Sequence, residues 1–132
     1  MVYEYKIEDR QQYIWVEISG VRTPGRELED IAPIWSEATQ TCREKKNNNL
    51  LAVLKLTGTM SIIASYNVVK FADRIGWSRD LRVALVDLGE EPDRNNLFTE
   101  TVAVNRGYQL KVFRNEQEAL TWLISRQTNF DG

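Results

Sequence analysis

The chain has no histidine and a single cysteine, Cys42, among its 132 residues. Without histidine it loses the commonest general base, the commonest metal ligand and every nucleophile pair that needs an imidazole. One cysteine allows no internal disulfide, and with histidine missing too no structural zinc shell of nitrogen and sulfur can form. No metal site and no cofactor are expected, and any catalysis would have to run on carboxylates, lysine or tyrosine. Charge of one sign is also lacking. Seventeen basic residues against 19 acidic ones leave a net charge of −2, too little to draw the chain to nucleic acid or to an anionic membrane. No apolar run approaches the roughly 20 residues of a membrane helix, and Met1-Val-Tyr-Glu-Tyr-Lys6 has no signal-peptide shape. These absences favour a cytoplasmic, non-enzymatic protein with no stable membrane insertion.

What is present is ordinary globular composition, 42% apolar and 27% charged. The length fits one domain, drawn over residues 1–126 with a tail at 127–132. The organising stretch is Leu50 to Gly76. Leu50 to Leu56 is almost continuously apolar, which suits a strand covered on both faces. Gly58 breaks the run, and Ser61 is placed to cap a helix whose stripe is Val68, Phe71, Ala72 and Ile75, with Gly76 at its end.

Before this unit, Tyr3 to Glu8 and Tyr13 to Ser19 read as strands of a hairpin around Asp9 to Gln12, the first being an antiparallel edge and the second ended by Gly20. Leu28, Ile31, Trp35, Ala38 and Cys42 recur at helical spacing. The stripe runs through Pro33 without a phase break, so one kinked helix is expected, closed by Asn47-Asn-Asn49. After it, Arg82 to Leu88 is a strand stopped by Gly89. A helix is expected from the Glu90-Glu-Pro-Asp93 start signals, with Leu97, Phe98, Thr101, Val102 and Asn105 on its inner face and Gly107 as its cap. Tyr108 to Arg114 is the last strand. Asn115 caps the final helix, paired with Glu118, and its apolar face is Ala119, Leu120, Leu123 and Ile124. The order β-β-α-β-α-β-α-β-α predicts an α/β fold: a five-stranded mixed, mostly parallel sheet with four main helices.

The opening hairpin, the Ser19-Gly20 strand ending, the Leu54-Lys-Leu-Thr-Gly58 strand leading into a helix and the tail from Val102 to Phe113 and Glu116 to Leu123 together resemble the STAS / anti-sigma factor antagonist superfamily, in particular its small stand-alone bacterial SpoIIAA-like branch. The resemblance spans about Tyr3 to Ser125. It implies a non-catalytic role in binding a protein partner or a small ligand. The fold class also includes the CRAL-TRIO lipid-exchange domains, which brings in a second function: carrier of an apolar or lipid-like molecule. Anti-sigma factor antagonists carry Asp-Ser-Ser/Thr-Gly where the turn enters the central helix. Here that stretch is Thr57-Gly-Thr-Met-Ser-Ile62, so the phosphosite is not carried over and Ser61 is only the nearest hydroxyl.

Three groups of residues are candidates for function. Thr57, Gly58, Thr59 and Ser61, with Arg22 and Glu90 nearby, lie where a strand's carboxyl end meets a helix N-terminus, a place that favours ligand or partner contact; the plain alternative is a tight turn with a cap. Glu17, Lys55 and Asp87 occupy the same step of three similar strands and would form a charged row on one face, either a functional cluster or an ion-paired strip. Trp15, Trp35, Trp77, Trp122 and Phe98 could line an apolar pocket or simply be core. Trp77, outside the periodic stripes, is a candidate interface anchor. A homodimer is compatible with the sequence but not decided by it.

Overall fold

The computed structural model describes residues 3–89 and 94–128. Nine elements follow the expected order: β1 (Tyr3–Asp9), β2 (Ile14–Val21), α1 (Glu27–Lys45), β3 (Asn49–Thr57), α2 (Ile62–Arg74), β4 (Arg82–Asp87), α3 (Arg94–Asn105), β5 (Gln109–Phe113) and α4 (Glu116–Thr128). The five strands lie side by side in chain order. β1 runs antiparallel to β2, and β2 through β5 are parallel. Because each parallel crossover steps in the same direction, right-handed connections put α1, α2 and α3 on one face of the sheet. α4, which follows the last strand, covers the other face.

This division explains the continuous apolar run of β3. Leu50, Ala52, Leu54 and Leu56 join the core beneath α1 and α2, together with Ile34, Trp35 and Ala38. The alternate residues Leu51 and Val53 join Trp15, Ala84, Val86 and the α4 residues Ala119 and Leu123 on the opposite face. A strand sandwiched in this way must be apolar at every step. β1 has only one such face: Tyr3 is buried, Tyr5 and Ile7 are partly so, and Glu4, Lys6 and Glu8 are exposed.

Several boundaries differ from the sequence reading. Gly20 does not end β2; it sits within the strand with φ 144°, and pairing continues through Val21. Leu88 lies one residue beyond β4. Pro33 is inside a single helix, as expected, but the asparagine run does not supply the left-handed end of α1. Lys46 does, with φ 54°, while the amides of Lys46 and Asn47 bond to the carbonyls of Arg43 and Cys42. The asparagines tie the hairpin down instead: Asn47 and Asn49 donate their side-chain amides to the carbonyls of Gln11 and Gln12, at 3.0 and 3.1 Å. The Glu90 to Asp93 start signals lie outside the described residues, as do residues 129–132, and α4 extends to Thr128.

α3 is the largest departure. Its inner face is Asn96, Thr99 and Ala103, all buried, whereas Leu97 and Phe98 are 55% and 37% exposed. Ala103 packs with Val69, Ala72 and Tyr108 between α2 and β5, and Asn96 reaches β4, where Asp87 is 4% exposed and accepts from the Asn96 side chain at 2.8 Å. A buried carboxylate needs donors, so a polar residue takes a position that periodicity would give to leucine.

Candidate partner-binding edge

The carboxyl ends of the parallel strands form one edge of the sheet, met by the N-termini of α2 and α3. Thr57 ends β3, and Gly58 turns the chain with φ 86°. A side chain there would be strained, and its Cβ would meet the Arg22 Cβ at 3.4 Å. Met60 points inward, 8% exposed. Ser61 then caps α2, its hydroxyl accepting from the Ala64 amide at 3.0 Å. Turn and cap are local chemistry, and the sequence placed both correctly. Arg22 is buried, and its guanidinium donates to the Gly58 carbonyl at 2.6 Å while its own amide donates to the Thr57 carbonyl at 2.9 Å. It braces the turn from within. Glu90 lies outside the described residues.

Thr57, Gly58, Thr59 and Ser61 are all exposed, and apolar side chains in the open surround them. Ile62 and Ile63 in the first turn of α2 are 59% and 73% exposed, Val21 at the end of β2 62%, and Leu88 just past β4 41%. Leu97 and Phe98, near the start of α3, are exposed as well. Single exposed apolar residues are ordinary, but several at the ends of neighbouring elements along one edge point to recognition. Farther along the edge, Arg114 donates to the Asp87 and Gly89 carbonyls and pairs with the Asp87 carboxylate at 3.6 Å. The Gly89 amide donates to the same Asp87 oxygen, Oδ1, at 3.0 Å, and Asn96 donates to Oδ2. The edge is therefore a braced frame carrying an apolar rim.

The expected charged row breaks in two. Lys55 and Glu17 form an ion pair at 3.1 Å, with Lys55 half exposed. Asp87 is paired in register with Leu54, not Lys55, so it points to the opposite face. A one-residue difference in register reverses the face of a strand residue. Only Trp35 and Trp77 border a common cavity; Trp15, Trp122 and Phe98 do not. Trp15 and Trp122 belong to the α4 side, Trp35 and Trp77 to the other. Trp77 is not an exposed anchor: it is partly buried, packs edge-on against Trp35 with centroids 6.1 Å apart and touches the α2–α3 core.

Beneath Met60, between the sheet and α1 to α3, lies an apolar cavity of about 60 Å³ bordered by Ile31, Trp35, Val69, Leu85 and Ala103. Pockets for drug-sized ligands measure roughly 300–1,000 Å³, and this one lies well below that range. Among the described residues no group of three His, Cys, Asp or Glu side chains is placed to hold a metal ion, and no helix is long and apolar enough to cross a membrane.

No protein-family model matches the chain, and no curated protein sequence does. Solved structures do match. An anti-sigma factor antagonist from Mycobacterium paratuberculosis superposes with a TM-score of 0.56 at 14% identity, over 92% of this chain and 93% of its own. An uncharacterized DUF3478-family protein with a SpoIIAA-like fold, from Shewanella loihica PV-4, gives a TM-score of 0.55 at 19% identity with the same coverage. The chain has a SpoIIAA-like fold.

Proposed function

We propose that this protein is a non-catalytic regulatory module of the cytoplasm that recognises a protein partner through the carboxyl edge of its sheet. The observation that carries the reading is the exposed apolar rim of Val21, Ile62, Ile63, Leu88, Leu97 and Phe98 around the Thr57–Ser61 turn. The core gives up these large side chains to solvent at one edge, where fixed backbone turns would hold them for a partner. The likeness to an anti-sigma factor antagonist supports a protein as that partner. The cavity lies well below the usual size of a ligand pocket, which disfavours the rival role of lipid carrier. A carboxyl acting as general acid would have its pKa raised toward the working range. Asp73 moves the other way, held below the ordinary carboxylate range by hydrogen bonds from Tyr108 and Arg106.

The test is cross-linked affinity capture with three forms of the protein. Wild type should retain a partner, Ile62→Asp/Ile63→Asp should lose it, and Asp80→Lys at the far end of the sheet should keep it. A partner retained equally by all three forms, or by none, refutes the edge as the binding surface.

A further inference from the structure

The two lateral margins of the sheet are finished differently. At β5 the outward amide of Val112 donates to the Glu100 carboxylate of α3 at 2.7 Å. A side chain thus stands where a further strand would bond. β1 bonds to β2 alone, and among the described residues no hydrogen bond from another element occupies its outer backbone. Such an open edge is a template for another strand.

We propose that β1 pairs antiparallel with β1 of a second copy, about a two-fold axis at Tyr5, joining two five-stranded sheets into one. The strand's own charges select this register. A two-fold axis normal to the sheet keeps each side chain on its own face, so β1 overlaps itself at length in three ways, about Tyr5, Lys6 or Ile7. About Lys6, that lysine meets the partner's Lys6 and Glu4 meets the partner's Glu8, and like charges directly opposed are destabilising. About Ile7, Lys6 meets the partner's Glu8, but Tyr5 meets the partner's Asp9. About Tyr5, Glu4 meets the partner's Lys6 on both sides of the axis, Tyr5 meets the partner's Tyr5 and Tyr3 meets the partner's Ile7. Only this register joins opposite charges on one face and apolar groups on the other. Charged residues on an edge strand ordinarily discourage pairing; alternating in sign, as here, they discourage the wrong registers and admit one. Tyr5 is already oriented, its hydroxyl donating to Glu37 of α1 at 2.6 Å. The dimer leaves the carboxyl edge of each copy uncovered, so it stands apart from the partner-binding reading.

Sedimentation velocity or native mass spectrometry over about 1–100 μM protein tests this. A dimer is expected. Glu4→Lys and Lys6→Glu should each weaken it about tenfold or more, and the double exchange should restore it. Both residues are exposed, so melting curves taken at protein concentrations low enough for wild type to be monomeric should match; if either charge reversal fails to fold, Glu4→Gln and Lys6→Gln should weaken the dimer in its place. Three results overturn the proposal: a monomer throughout the range, a dimer indifferent to both single exchanges, or a folded double variant that stays monomeric. Restoration by Lys6→Glu/Glu8→Lys instead would move the axis to Ile7 and overturn the register.

Discussion

Asp73 gathers three donors from two separate loops: Arg79 between α2 and β4, and Arg106 and the Tyr108 hydroxyl between α3 and β5. The Tyr108 bond and then the guanidinium groups hold its carboxyl below the ordinary value of 3.8, while burial first and the bond to Asp73 second push the Tyr108 phenol up to about 12. The two shifts limit the network's contribution at opposite ends of the pH range. A lowered carboxyl pKa stabilises the fold above 3.8 and loses that effect as pH falls through the folded value. A raised phenol pKa stabilises the fold below 10 and loses it as pH climbs from 10 toward 12. Urea denaturation of Asp73→Ala should therefore show a destabilisation that is constant near neutrality and narrows below pH 3.8. A gap unchanged down to pH 2 would mean that the carboxylate charge contributes nothing. None of this was legible in the sequence, because the partners lie up to 35 residues apart and belong to no periodic pattern. Ser61 was legible for the opposite reason: a cap depends on the residue three positions away.

Among the elements, α1 shows how far a hydrophobic stripe can override a residue that opposes it. Pro33 has no amide to give the Glu29 carbonyl, and its ring crowds that carbonyl. The helix nevertheless runs unbroken from Glu27 to Lys45, because Ile31, Ile34, Trp35 and Ala38 are buried on both sides of it. Pro33 itself is exposed, so Pro33→Ala removes the conflict without opening a cavity. It should stabilise the protein by about 1–3 kcal/mol, seen as a higher melting temperature; an unchanged or lower value would show that the proline matches a bend the core requires. α1 could be read because its inner face is apolar from Ile31 to Cys42 at every step but Thr39. α3 could not. Of its inner residues Asn96 serves Asp87, and Asn96 and Thr99 carry no hydrophobic signal, while the exposed Leu97 and Phe98 imitate one. The same error concealed Leu97 and Phe98 as part of the apolar rim, since a leucine or phenylalanine in a helix reads as core until its neighbours are known.

At the scale of the molecule, element order was legible and strand order was not. Alternating strands and helices imply parallel crossovers, but which strands become neighbours depends on helix packing that periodicity does not report. The observed sequential order makes β3 the middle of the sheet, with α1 and α2 on one side and α4 on the other. Leu50, Leu51, Ala52 and Val53 are all essentially inaccessible. An amide in such a strand exchanges only when both covering layers and both flanking strands open, which approaches global unfolding. In the monomer β1 has one covered face and an open margin, so it can fray while the rest stays closed. Native-state hydrogen exchange of the Glu4→Lys monomer should thus rank the β3 amides slowest, those of β2 and β4 next and those of β1 fastest of these four, with protection at Leu51 to Val53 equal to the global stability. Leu51→Ala should cost about 2–5 kcal/mol and lower that ceiling for every strand together, whereas Ile63→Asp, at a side chain mostly in solvent, should leave it within about 0.5 kcal/mol. If the β1–β2 hairpin kept its protection after β3 had exchanged, the sheet would not open outward from its edge, and the placement of stability at the centre, with recognition left to the rim, would be wrong.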